Sequence, residues 1–196
     1  MRHFLLLIVC IVFIAASACS VVTVTEPIGE EPVLLQPKDW EGLWKIYLYS
    51  FFDEEEKEGY ALIEVSDSEK GVIKIQGIGR EPESVHVYLR ESNGWMFGSY
   101  RDPELTDDKG FCWGRFKKDG DHIYFWVPDY DRFTNLVNDG LLPGHPYDGE
   151  QRDYSKYLIL SGLKPEHMDL ITSDSKGVLF YWDQPFFMVR ISNDID

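Results

Sequence analysis

The chain has few cysteines, few basic side chains and little uninterrupted apolar sequence. Cys10, Cys19 and Cys112 are its three cysteines. The first two lie in or beside an N-terminal export segment, so Cys112 has no partner and a disulfide framework is excluded. Lys and Arg number 19 against 34 Asp and Glu, a formal charge of −15. That field repels phosphate backbones and anionic head groups, which excludes nucleic acid as a partner and a basic patch as a membrane contact. The uncharged apolar run Phe4–Ile14 is shorter than the ~20 residues a spanning helix needs. The sequence contains no Gly-x-Ser-x-Gly, P-loop or dinucleotide fingerprint, and no His-x-x-x-His spacing. His122, His145 and His167 sit on three separate segments, and Cys112 reads as a small core residue. The acidic runs Asp53–Glu56, Asp107-Asp108 and Asp129/Asp131 lack the ligand order of an EF-hand loop. The expectation is therefore a non-enzyme with no catalytic residue, cofactor or metal.

The N-terminus carries the most specific signal. Arg2 precedes the uncharged run Phe4–Ile14, and Ala16-Ser17-Ala18 supplies small residues before Cys19. That is a secretory signal layout over residues 1–18. A cysteine at the cleavage point resembles the lipobox of bacterial lipoproteins. The resemblance implies acylation of Cys19, which would hold the protein to a membrane. Ser20, rather than Asp, after the cysteine implies the outer membrane, facing the periplasm. The alternative is an ordinary signal cut at the Ala-x-Ala site, leaving a free thiol. Residues 19–38 include Pro27, Pro32 and Pro37 and several Glu, and read as a lipid-anchored tether reaching up to about 65 Å. Val21–Thr25 could instead add a short strand. Residues 39–196 then form a single domain.

Within that domain the dominant period is two, broken by turn residues every eight to twelve positions. Trp44, Ile46 and Leu48 share one face of the first strand; Ala61, Ile63 and Val65 share one face of the next. Ile73 and Ile75 follow, then Val85, Val87 and Leu89. The spacing predicts a mainly β fold, an antiparallel meander of roughly 8–10 strands closing into a barrel, with an open β-sandwich as the alternative. Asp119-Gly120 predicts a two-residue hairpin turn that would pair Arg115 with Tyr124 and Trp113 with Trp126. Two short helices are expected. One runs to about Asp139 after Asp129 or Asp131, and one spans Pro165–Thr172.

Gly42-Leu43-Trp44 at the start of a meander resembles the opening of lipocalin and other calycin barrels. In that family the Trp plugs one end of the barrel and an Arg late in the chain packs over it; Arg190 is the matching candidate here. The resemblance implies a closed, calycin-like barrel with a small-ligand cavity.

The candidate site is the hairpin face bearing Trp113, Arg115, Tyr124 and Trp126. Aromatic rings around a guanidinium suit an amphipathic or anionic ligand if they line a lumen. Facing outward, the same residues are cross-strand pairs. Cys112, Phe116, Ile123, Phe125 and Val127 make the opposite face the more uniformly apolar one, so that face is expected to be core. Two roles follow: an envelope lipoprotein binding a small apolar or amphipathic ligand, or a structural or interaction lipoprotein with no such ligand.

Overall fold

The computed structural model describes residues 20–48, 57–79, 83–102, 110–147, 156–173, 179–183 and 185–192. Residues 1–18, read above as an export signal, and Cys19, Asp53–Glu56 and Asp107-Asp108 lie outside the described residues. The strands are β1 (Ser20–Val24), β2 (Glu31–Pro32), β3 (Gly42–Leu48), β4 (Lys57–Asp67), β5 (Val72–Gly77) and β6 (Ser84–Ser92). They continue with β7 (Trp95–Tyr100), β8 (Phe111–Asp119), β9 (His122–Trp126), β10 (Gly144–Tyr147), β11 (Lys156–Leu160) and β12 (Phe186–Ser192). The helices are α1 (Pro37–Trp40), α2 (Tyr130–Asn138) and α3 (Pro165–Thr172).

Strands β3 to β9 pair in chain order, and β12 closes the ring between β9 and β3. The result is an eight-stranded closed antiparallel barrel, as the alternation predicts, rather than an open sandwich. Each wall strand turns one of its two alternating faces inward. On β6, Val85, Val87 and Leu89 are buried while Ser84, His86 and Tyr88 are exposed. Phe116 and Phe125 meet edge to face in the interior, with ring centroids 5.8 Å apart. Glycines make room for them. A Cβ on Gly98 would lie 2.9 Å from the Phe116 ring, and one on Gly114 would lie 2.6 Å from Phe125 and 2.3 Å from the Trp126 carbonyl.

The end of the barrel with the short turns is plugged. Trp44 is fully buried, and its indole N–H donates to the Trp40 carbonyl at 3.0 Å. The Arg190 guanidinium lies 5.5 Å from the Trp44 ring centroid and donates to the carbonyls of Lys38 and Glu41 at the ends of α1. It also binds the Asp121 carboxylate. That pairing holds the Asp121 carboxyl below its ordinary range. Lys118 packs over Trp40 at 5.6 Å, and burial, then the Arg190 charge, push its ammonium pKa down.

Three expectations are corrected. The first concerns residues 19–38, read as a tether. Ser20–Val24 is β1, with Val22, Thr23 and Val24 buried, and Ile28 and Leu35 are also core residues. Its partners are β11 in parallel and β8 in antiparallel pairing, contacts too distant in sequence to leave a local mark. The second is the helix count, three among the described residues rather than two, because Pro37 starts the single turn of α1. The third is the hairpin register. Gly120 (φ +56°) takes the first central position of the turn, so Asp119 pairs with His122 and Arg115 with Trp126. The offset is two residues, which keeps every side chain on its expected face.

The connection between β9 and β12 builds a second core outside the barrel. It lays α2, α3 and the segment around Phe180 over the outer faces of β7 and β8, burying Phe97, Trp113, Phe133, Met168 and Ile171. Asp129 caps α2, its carboxylate accepting from the backbone N–H of Asp131 and Arg132. Asn93, in the β6–β7 turn, donates to Asp169 at 2.8 Å and to Thr172 at 3.2 Å, tying α3 to the wall.

Candidate functional site

The hairpin face carrying the candidate residues lies on the outside of the barrel. Because β8 alternates, Cys112, Gly114 and Phe116 point inward, and Trp113 and Arg115 point outward. The outer face is itself divided. Trp113 is 2% exposed, enclosed by Phe97, Phe133 and Phe180 with centroids 5.5–6.0 Å away. It is a core residue, inaccessible to a ligand.

Arg115 sits among three tryptophans. Its guanidinium carbon lies 3.8 Å from the Trp95 ring centroid, 4.5 Å from Trp182 and 5.5 Å from Trp126. Trp95 comes from β7, Trp126 from β9, and Trp182 from the chain returning toward β12. The Trp126 indole N–H donates to the Trp182 carbonyl at 3.3 Å. The rings present their negative faces to an internal cation, so this cage joins the return segment to the wall. It does not offer an empty cation site. Trp95 and Trp182 were not anticipated from sequence, and their spacing carries no signal that they converge.

Tyr124 belongs to a different arrangement. The register places Phe187 of β12 opposite both Tyr47 of β3 and Tyr124 of β9, which makes one aromatic row across three strands. Tyr47 and Phe187 stack with centroids 4.5 Å apart and planes 6° from parallel. Phe187 and Tyr124 follow at 6.1 Å and 17°, with His122 and Trp126 flanking Tyr124 at 6.4 and 5.9 Å. Lys45 lies 4.8 Å from the Tyr47 centroid and pairs with Glu58 at 2.6 Å. The hydrogen bond that Lys45 donates to Glu58 raises the Lys45 pKa. Tyr47, Phe187, Tyr124 and Trp126 are half-buried and His122 is exposed, so the row keeps an accessible surface. Alternation in Phe186–Ser192 places Phe187 outward; only the pairing of β12 between β3 and β9 completes the row.

The interior is filled over most of its depth. Trp44, Ile46, Ala61, Ile63, Ile73, Leu89 and Ile123 are each at most 1% exposed. The largest residual exposures in this core cluster, 7–8%, are at Ile75, Val85 and Cys112, with the buried glycines Gly59 and Gly77 nearby on β4 and β5. Burial pushes the Cys112 thiol up to about 12, the Tyr100 hydroxyl opposing the shift, so it is neither a nucleophile nor a metal ligand at neutral pH.

Outside the barrel, a cleft of about 230 Å³ lies between the β1–β2 connection and the start of α3, with Glu26, Ile28, Lys164 and Met168 in its walls. His167 has a local role, its Nδ1 accepting from the Lys164 backbone N–H at 2.9 Å. His122 and His145 stand on separate strands, β9 and β10. Among the described residues no three His, Cys, Asp or Glu side chains converge to hold a metal ion, and no helix is long and apolar enough to cross a membrane. No protein-family model, no curated protein and no solved structure matches this chain.

Proposed function

We propose that the protein is a non-catalytic, lipid-anchored cell-envelope protein that works through its outer surface, binding a protein partner along the aromatic row Tyr47–Phe187–Tyr124. One contrast carries this reading: the barrel interior is occupied by its own side chains, while a continuous aromatic row is left half-exposed on the outer wall. Aromatic residues are enriched at protein interfaces, where rigid rings bury much area at low entropic cost. The lipid anchor rests on Ala16-Ser17-Ala18-Cys19, and localisation at the outer membrane, facing the periplasm, rests on Ser20. The Arg190–Trp44 plug supports kinship with calycin barrels.

A photo-crosslinking amino acid at Tyr124, in cells of the native host, tests the surface. The expected result is a discrete crosslinked protein at position 124 and none at Tyr88, an exposed position on β6. Equal or absent crosslinking at both positions overturns the reading.

The second reading, a small apolar or amphipathic ligand, is favoured by the thin lining at the long-loop end, where Gly59, Ala61 and Gly77 lie beside Ile75 and Val85 on the adjacent strands β4, β5 and β6. Native mass spectrometry of protein from its host separates the two. A stoichiometric co-purifying lipid or metabolite supports the ligand, and a bare chain supports the surface role.

A further inference from the structure

From the position of β1 we infer that the protein has no free tether and rests on the bilayer by one end of its outer sheet, in a fixed orientation. The inference builds on the proposed acylation of Cys19. Strand β1 starts at Ser20, the residue after that cysteine. Its five residues pair in parallel with β11, from Ser20↔Lys156 to Val24↔Leu160, and Thr23 and Val24 also pair with β8. Val22, Thr23 and Val24 are at most 2% exposed. Successive Cα atoms are about 3.8 Å apart, so acyl chains on Cys19 attach within one residue of a strand fixed in the body of the domain. A free linker through residue 38 would have allowed tens of ångströms of separation and any orientation.

The first rows of that sheet end are Ser20 with Lys156, then Val21 with Tyr157 and Tyr147. Lys156 is exposed, and the two tyrosines are half-buried with ring centroids 6.3 Å apart, edge to face. Tyrosine is a side chain of the membrane–water interface, apolar along the ring and wet at the hydroxyl. The chain's charge of −15 gives no attraction to anionic lipid. The covalent link and the tyrosines therefore set the orientation, and salt does not weaken it. Strand β4 lies across the barrel ring from β8, the barrel strand that β1 joins, and its first residues, up to Tyr60, lie at the end opposite to the one Ser20 points toward.

The test uses the full acylated chain in vesicles of phosphatidylethanolamine and phosphatidylglycerol doped with head-group quencher lipid. A fluorophore is attached through Lys156→Cys or, for comparison, through exposed Tyr60→Cys on β4; buried Cys112 stays unlabelled. Quenching is expected to be several-fold stronger at position 156 and unchanged in molar salt. A flexible Gly-Ser segment inserted between Cys19 and Ser20 should abolish the difference. Equal quenching at the two positions in a chain whose mass confirms acylation overturns the orientation alone. A mass without acyl chains overturns the lipid anchor, and the orientation with it.

Discussion

Truncating Trp44 to alanine removes the plug at the short-turn end of the barrel, and the structure sets the size of the effect. The side chain is fully buried, and deleting a buried Trp typically costs about 3–5 kcal/mol. Two directional contacts disappear with the ring. One is the indole hydrogen bond to the Trp40 carbonyl, of net worth about 1 kcal/mol. The other is the Arg190 guanidinium over the ring, worth about 0.5–2 kcal/mol when desolvated. Both place the expected loss in the upper part of the range. For a domain of this size each kcal/mol lowers Tm by about 2–4 °C, so the melting point should fall by roughly 6–20 °C. Urea unfolding followed by far-ultraviolet circular dichroism is the appropriate assay, because the other five tryptophans complicate fluorescence. The midpoint should shift with m unchanged. Trp44→Leu keeps a large apolar plug without a ring and provides a variant that folds. In a double-mutant cycle with Arg190→Met it isolates the ring–guanidinium coupling, expected at about 0.5–2 kcal/mol. A Trp44→Ala protein within about 1 kcal/mol of wild type, or a cycle with no coupling, would refute the plug.

Three further outcomes are expected. Gly114→Ala places a methyl 2.3 Å from the Trp126 carbonyl and should destabilise by about 1–3 kcal/mol. Gly98→Ala, which meets side chains alone, Phe116 at 2.9 Å and Val87 at 3.2 Å, should cost less; equal guanidinium midpoints for the two would contradict the interior packing. With its thiol pushed up to about 12, Cys112 should resist maleimide in the native protein at neutral pH and react on unfolding, and stoichiometric native labelling seen by mass spectrometry would contradict its burial. Asp121 has a carboxyl depressed by Arg190, so its contribution is present above the ordinary carboxylate pKa of about 3.9 and is lost as pH falls through the lower folded-state value. Asp121→Asn should therefore flatten stability against pH in the acid range, and an unchanged acid limb would show that the pair is not linked to folding.

The anchoring and surface inferences together imply a fixed geometry for any partner. If β1 holds the outer sheet to the bilayer, the aromatic row on β3, β12 and β9 has a set height and direction instead of sweeping at the end of a linker. The Arg115 cage has a structural place in that arrangement, because it locks the return segment through Trp182 and so fixes where β12, and with it Phe187, re-enters the wall.

Local sequence alone determined much of the wall. Side chains alternate across a strand, so Val85, Val87 and Leu89 declare one buried face and Ser84, His86 and Tyr88 the other without knowledge of their neighbours. Asp129 and Pro165 marked the starts of α2 and α3 because capping is settled within a few residues. The outward direction of Trp113, Arg115, Tyr124 and Trp126 was legible for the same reason. Only the tertiary structure decided which outward aromatics are buried and which remain accessible. Trp113 vanished beneath Phe133 and Phe180, which come from a connection whose packing has no period. Phe187 joined Tyr47 and Tyr124 through strand pairings made across long stretches of chain. The same holds for β1: a short run such as Val21–Thr25 is held in place by β11 and β8 rather than by its own preference, and a partner so far along the chain leaves no trace in the residues beside Cys19.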